Sequence, residues 1–241
     1  MRYSHNLRIV RHPKHPTIIS AIVTAILLVV VLYFGFTFLD AQDFFGGFGQ
    51  SLFRVSISYF ISLFLAVTLT LTITSSPKME NVLVPIFDVL QSFPSFALFP
   101  MLVVWFGKST FVTILILTVT MIWPILFSLL SAQKQIRTDL LEAASIFGAT
   151  GWKQLYYVQF PLLSPAIVTG SIVAWGEAWE TIIAAEIIIG IGGVGTYLAT
   201  AAASNSEIMA VGITLLLVLL FILNKYIWLP LLNGVTKYQQ D

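Results

Sequence analysis

Cysteine is absent from the 241 residues, and with it disulfides, thiol nucleophiles and thiolate metal sites. Histidine is almost absent: His5, His12 and His15 all lie at the very start of the chain. No Ser–His pair, Cys–His pair or His-based zinc site can therefore be assembled in the later, apolar part. An aspartyl-type enzyme survives that count. Charge is scarce as well, at 10% of residues, where a soluble domain carries roughly 25%. The net charge of +1 gives no electrostatic case for nucleic acid or for a bulk acidic partner.

What the chain has is hydrophobic sequence, 58% of it, with a mean hydropathy of +0.93. Six segments reach the length of about 20 apolar residues needed to cross a bilayer. They are Thr17–Leu39, Val55–Pro77, 82–107, 109–133, 165–190 and 208–229. The third carries Asp88, Pro85, Pro94 and Pro100; the fifth carries Glu177, Glu180 and Glu186. The pattern predicts an all-α polytopic membrane protein of about six transmembrane helices. A single transmembrane domain, 17–232, would be flanked by an arm, 1–16, and a tail, 233–241. The first span follows a basic segment, as a secretory signal does. Its apolar run is too long for that role and Leu39-Asp40-Ala41-Gln42 is a poor cleavage site, so a retained anchor is expected.

Basic residues set the orientation. With the N-terminus in the cytoplasm, Arg2, Arg8, Arg11, Lys14, Lys78, Lys134, Arg137, Lys153 and Lys237 fall inside, and Lys225 snorkels there. Arg54 and Lys108 are expected at the outer ends. Both termini and the polar segment 138–163 are then cytoplasmic.

Two strings imitate nucleotide sites. Gly107-Lys108-Ser109-Thr110 looks like the end of a P-loop, but Leu102 stands where the leading glycine belongs and no strand precedes it. Gly190-Ile191-Gly192-Gly193-Val194-Gly195 satisfies G-x-G-x-x-G, yet it follows a membrane helix and no acidic residue lies at the required distance. Its glycines suit tight backbone that dips between helices.

The polar segment reads as a helical hairpin. Asp139 stands three residues before Glu142, a helix-start signal. Ala143 and Ala144 leave a bare helix surface that another protein can approach, and Gly148 and Gly151 can take positive φ to turn the chain. A second short helix, 152–159, is expected to end at Pro161, with Ser164-Pro165 opening the fifth span. Such a hairpin serves either as an interfacial connector or as a docking surface.

Its spacing resembles the EAA loop of binding-protein-dependent ABC importer permeases. Glu142, Ala143, Ala144, Gly148 and Pro161 match, with Val158 and Phe160 in place of the more usual isoleucine and leucine. Gln91 to Pro100, followed by Trp105-Phe106-Gly107, is similar to the third-helix signature of the nitrate/sulfonate/taurine group. Trp179, Ala185-Glu186, Gly195 and Tyr197-Leu198 match that group too. The resemblance runs from about Ser51 to Leu220. It implies a type I ABC importer permease that carries a small solute, lies in a bacterial or archaeal plasma (inner) membrane and is not itself an enzyme. It further implies two cytoplasmic ATPase subunits that bind ATP and Mg, no cofactor on this chain, a second permease copy and an extracytoplasmic solute-binding protein. The EAA helix would seat in a groove of the ATPase.

The fifth span adds chemistry of its own, since ionisable residues in a membrane helix mark function or pairing. At about 100° per residue, Glu177 and Glu180 share a face and Glu186 lies opposite Glu177, while Gly170, Ala174 and Ala178 form a stripe for close packing. The helix is expected to be buried, with Glu177 and Glu180 beside a polar cavity. Glu186 fits the group's Ala-Glu pair, whereas Glu177 and Glu180 stand where that group is neutral. Pro94, Pro100, Glu177, Trp179, Glu180 and Glu186 are the candidate pathway residues. The acidic residues either influence solute choice or bond to neighbouring helices, and the prolines make either a gate or a packing kink. An alternative function, a proton-coupled secondary transporter, would use the same glutamates. An intramembrane enzyme lacks a catalytic carboxylate pair, and a structural or assembly subunit is the remaining class.

Overall fold

The computed structural model describes residues 40–236 and seven isolated positions between Ile22 and Thr37. The expected arm 1–16, most of the expected span Thr17–Leu39 and the last residues of the tail, 237–241, lie outside the described residues. Helices make up the fold, with no strand among the described residues. In chain order they are α1 (Ala41–Thr74), α2 (Pro77–Gln91), α3 (Leu98–Phe106), α4 (Thr110–Gln135), α5 (Thr138–Ile146), α6 (Trp152–Ile189), α7 (Val194–Ser204) and α8 (Ser206–Val235). Four of them, α1, α4, α6 and α8, are long and apolar enough to cross a membrane.

The core is built by α4 running between α1 and α6. Leu117, Met121, Ile125 and Leu126 of α4 are fully buried there. Small residues bring the backbones together. A Cβ on Gly170 would stand 2.9 Å from the Pro124 carbonyl oxygen and the Ile125 Cα, and Ala174 and Ala178 follow it into the buried face. This is the packing mode of helices that have no hydrophobic force to drive them together in lipid. On α1, the Ser58 and Ser62 hydroxyls reach the Ile114 and Thr118 carbonyls at 3.2 and 3.0 Å.

The expected third span is a bent pair. α2 opens on Ser76, whose side chain accepts the Lys78 N–H, with Pro77 in the first turn. It stops at Ser92, ahead of Pro94, and a short 3₁₀ turn (Ser95–Ala97) leads into α3. The two arms differ in direction by 72°. Pro94 is thus a true break, because the residue before a proline avoids helical backbone. Pro100 sits in the first turn of α3, where a missing N–H costs nothing.

Several expectations need correction. α1 begins fourteen residues before the expected Val55, on Asp40, so Arg54 stands within the helix and is buried. Hydropathy missed that first stretch because it is rich in glycine and polar residues. The α5 helix starts from Arg137 rather than from Asp139, and Asp139 makes no cap: it accepts from Arg137 and from the next backbone N–H. Nor does Pro161 end a helix. Leu155–Gln159 forms a π turn in which the Phe160 N–H bonds to the Leu155 carbonyl, and α6 continues through Pro161 and Pro165 as one 38-residue helix. A proline ring crowds the carbonyl four residues back, here that of Tyr157, and the wider π turn relieves it. The same device recurs in α8, where the π turn Asn224–Trp228 directly precedes Leu229 and Pro230.

Candidate functional site

Three places on this scaffold carry polar chemistry. The first is the α5 hairpin. α5 ends in a Schellman turn: Ala149 N–H donates to the Ala144 carbonyl at 2.9 Å and Gly148 N–H to the Ser145 carbonyl at 3.0 Å. Gly148 supplies the left-handed conformation this needs, with φ +82°, and Gly151 at +55° starts the return. Gln154 ties the arms together by donating to the Leu141 carbonyl at 2.8 Å. Glu142 and Ala143 are exposed, Ala144 is half-buried, and α5 has no buried residue. Ile146 and Phe147 are 83% and 89% exposed, and Trp152 and Tyr157 stand open beside them. Arg137 hydrogen-bonds Asp139 and holds its carboxyl below the ordinary aspartate range. Beneath the start of α6 lies an apolar cavity of about 300 Å³, bounded by Val67, Thr70, Leu129, Trp152 and Tyr156.

The second place is at the far end of the bundle, where α6 ends on Gly190 in left-handed conformation, φ +73°. Glu186 is fully buried one turn earlier. Its carboxylate pairs with Arg54 at 2.7 Å and accepts from the Ser51 hydroxyl at 2.7 Å and from the Gly195 N–H at 2.9 Å. Arg54 also donates to the Gly192 carbonyl at 2.5 Å, and Ser51 accepts the Val194 N–H at 3.0 Å. The glycine string is therefore the loop that wraps a buried ion pair. A Cβ on Gly193 would run into the Glu186 carboxylate, and one on Gly195 would meet the Ile183 carbonyl oxygen at 2.5 Å. In the first turn of α7 the Gly195 N–H donates to this carboxylate, and a helix N-terminus is a favourable place for negative charge.

The third place is the middle of α6. Glu177 and Glu180 are both exposed on the surface of the chain, and neither has an ion-pair or hydrogen-bond partner among the described residues. Glu180 lines a cavity of about 560 Å³ between α6, α7 and α8, together with Trp179, Ile183, Leu198, Met209 and Leu217. The surroundings differ from the polar cavity expected: Glu180 is the one charged residue in an apolar lining. Trp179 is 3% exposed and stacks on Phe48 at 5.4 Å, with its indole Nε1 buried and unpaired. Pro94 and Pro100 are exposed and do not line this cavity, and neither do Glu177 and Glu186. The structure thus brings Trp179 and Glu180 together and separates Glu186 from them.

Residues 63–227 match the family described as the binding-protein-dependent transport system inner membrane component. The chain belongs to this family. Among curated proteins, it is 27% identical over 174 residues to the taurine transport system permease protein TauC of Escherichia coli (strain K12), covering 72% of this chain and 63% of that one. It is 31% identical over 170 residues to the nitrate import permease protein NrtB of Leptolyngbya laminosa, covering 70% and 61%. It is 30% identical over 162 residues to the bicarbonate transport system permease protein CmpB of a Synechocystis strain, covering 66% and 58%. The matched region spans less than two thirds of the length of these relatives. The all-α architecture with a bent pair and long spans is that of a type I ABC permease.

The family match includes the hairpin and all three glutamates of α6 but begins after Ser51 and Arg54. Those two residues were missed by sequence reasoning. A signal was available: an arginine inside a helix needs a counter-charge, and Glu186 stands four residues before a glycine-rich string, 190–195.

Proposed function

We propose that this chain is the membrane-spanning permease subunit of an ATP-driven importer, and that it moves a small solute handed over by an extracytoplasmic binding protein. The observation that carries the reading is the hairpin. It exposes Ile146, Phe147 and Trp152 around Glu142, and its second arm is the same helix that bears Glu177 and Glu180. Exposed aromatic and aliphatic anchors of this kind are what a partner surface covers. Glu142, Ala143, Ala144, Gly148 and Pro161 form the coupling segment within 138–163, and the partner is one of two cytoplasmic ATPases that bind ATP and Mg. A second copy of the chain completes the path.

The transmembrane domain takes 17–232, with the arm 1–16, the hairpin and the tail 233–241 on the cytoplasmic side of a plasma (inner) membrane. Pro94 and Pro100 shape the bent pair, while Trp179, Glu177 and Glu180 belong to the solute pathway. Glu186 leaves the pathway for the role of a structural counter-ion. Taurine, nitrate and bicarbonate are named for relatives, and the cargo here is a small solute of comparable size. Family membership supports ATP-driven transport over the proton-coupled alternative. The test is Glu142→Lys in the complex assembled with its ATPase: uptake and transport-linked ATP hydrolysis should fall at least about tenfold, a loss of 1.4 kcal/mol in coupling, with insertion unchanged. Normal coupling in the inserted variant, or uptake that survives loss of ATP and collapses with the proton gradient, refutes the proposal.

A further inference from the structure

The apolar cavity of about 300 Å³ at the hairpin end of the bundle is a groove that the transport reading leaves unused. One wall is Val67, Thr70 and Leu71 of α1, the floor is Leu129 of α4, and the first turns of α6 close the other side. None of its described lining residues is charged. The Thr70 hydroxyl is spent on the Ala66 carbonyl at 2.8 Å. The groove therefore offers a polar solute little to bind, and walls of this kind take apolar matter rather than water.

Depth and continuity say what that matter is. Leu129 lies six residues before the end of α4, about 9 Å along the helix at 1.5 Å per residue. The hydrocarbon core of a bilayer is about 30 Å thick, so the floor sits in the half nearer the hairpin. The α1 wall also runs on along the same face. Phe60, Phe64, Val67 and Leu71 fall within about 60° of arc, and both phenylalanines are exposed. On a membrane-spanning helix such a face meets lipid, and the groove is its continuation.

The mouth supplies the complementary charge. Lys153 is exposed and has no ion-pair partner among the described residues. Beside it Trp152 and Tyr156, both mostly exposed, frame the opening, and amphipathic rings belong at the headgroup level. An ammonium above an apolar slot matches a phosphate above an acyl chain.

We propose that this groove binds a membrane phospholipid with an anionic headgroup, one acyl chain lying between α1 and α6 and the phosphate at Lys153. The lipid braces the root of the hairpin, since Leu155 and Tyr156 belong both to the π turn and to the groove. Lipid binding goes beyond the transport reading and does not depend on it. Only the choice of the cytoplasmic leaflet rests on the orientation proposed above.

The experiment places the full chain in phosphatidylcholine nanodiscs and reads tryptophan fluorescence. Brominated phosphatidylglycerol is titrated in, with brominated phosphatidylcholine as the reference. The Trp152 contribution is the difference between the parent and Trp152→Phe. It should be quenched saturably, at about fivefold lower lipid fraction for phosphatidylglycerol, the preference that one lysine near the surface supplies. Lys153→Gln should erase that preference. Val67→Phe/Leu71→Phe fills the groove and leaves Lys153 in place. It should weaken quenching by at least about tenfold, the effect of displacing two buried methylenes.

Equal quenching by the two lipids in the parent overturns the proposal, as does a preference unchanged in Lys153→Gln, a surface substitution that leaves packing alone. A preference that survives the filled groove assigns the lipid to surface charge only and overturns the groove. Absence of Trp152 quenching means that the arm 1–16, a second copy or another protein covers the site, and it overturns the proposal too. These readouts need neither ATPase nor transport, so their failure leaves the permease reading standing. Selective quenching in a complex with no ATP-driven uptake supports the lipid site and removes the permease reading instead.

Discussion

The two ends of the α6 rod make a pair of opposites. At one end Glu186, Arg54 and Ser51 are buried, and each is satisfied by the loop that encloses them. At the other, α5 has no buried residue and Phe147 is the most exposed large hydrophobic residue described. The first end is held by its own chain. The second is finished in its backbone, with a complete Schellman turn, but unfinished on its surface. Polar groups packed inside serve the fold, whereas apolar groups left outside await a partner.

The comparison is broken most severely at the buried end. Glu186→Ala leaves Arg54 buried and unpaired and should cost about 3–5 kcal/mol, read as a lower melting temperature in detergent. Replacing both partners by leucine should recover much of that loss, since the desolvation of the pair disappears with it. A single variant as stable as the parent would show that water already reaches the pair. Next in size is Gly193→Ala, which forces a methyl group against the Glu186 carboxylate and should destabilise by about 1–3 kcal/mol. At the exposed end, Gly148→Val places a branched residue at φ +82°, costing about 1–2 kcal/mol locally. Insertion should persist, and ATPase stimulation should drop by more than the stability change accounts for.

The smallest effect belongs to Asp139→Asn. Arg137 lowers the Asp139 pKa, so the pair stabilises the folded state above the ordinary aspartate pKa and the contribution is lost as pH falls through the lower folded value. Because both side chains are exposed, melting curves of parent and variant at neutral pH should nearly coincide. A clear separation would mean that the hairpin is better ordered than its surface suggests.

Much of this was legible in the sequence, and the exceptions have physical causes. Gly148 was readable as a turn because a helix that must reverse needs positive φ, and few residues besides glycine supply it. The Gly170-Ala174-Ala178 stripe was readable because close packing leaves a periodic absence of side chains. The start of α1 was misplaced because hydropathy windows begin where the chain turns greasy, while the helix begins at Asp40. Pro161 was misread as a stop because the rule for proline concerns an α turn, and the chain answers with a π turn. Glu177 and Glu180 were correctly placed on one face, but the apolar surroundings of Glu180 come from α7 and α8, whose positions no local pattern encodes.

The π turn at Leu155–Gln159 has a consequence for timing. A break at Pro161 would have put a loose joint between the hairpin and the acidic stripe, and a loose joint has backlash: one side can move before the other responds. Here Trp152 and Glu180 belong to one unbroken helix and stand about 40 Å apart along it, at 1.5 Å per residue. In the coupling proposed above, a displacement of the hairpin is therefore carried to the acidic stripe along continuous backbone and arrives there in phase.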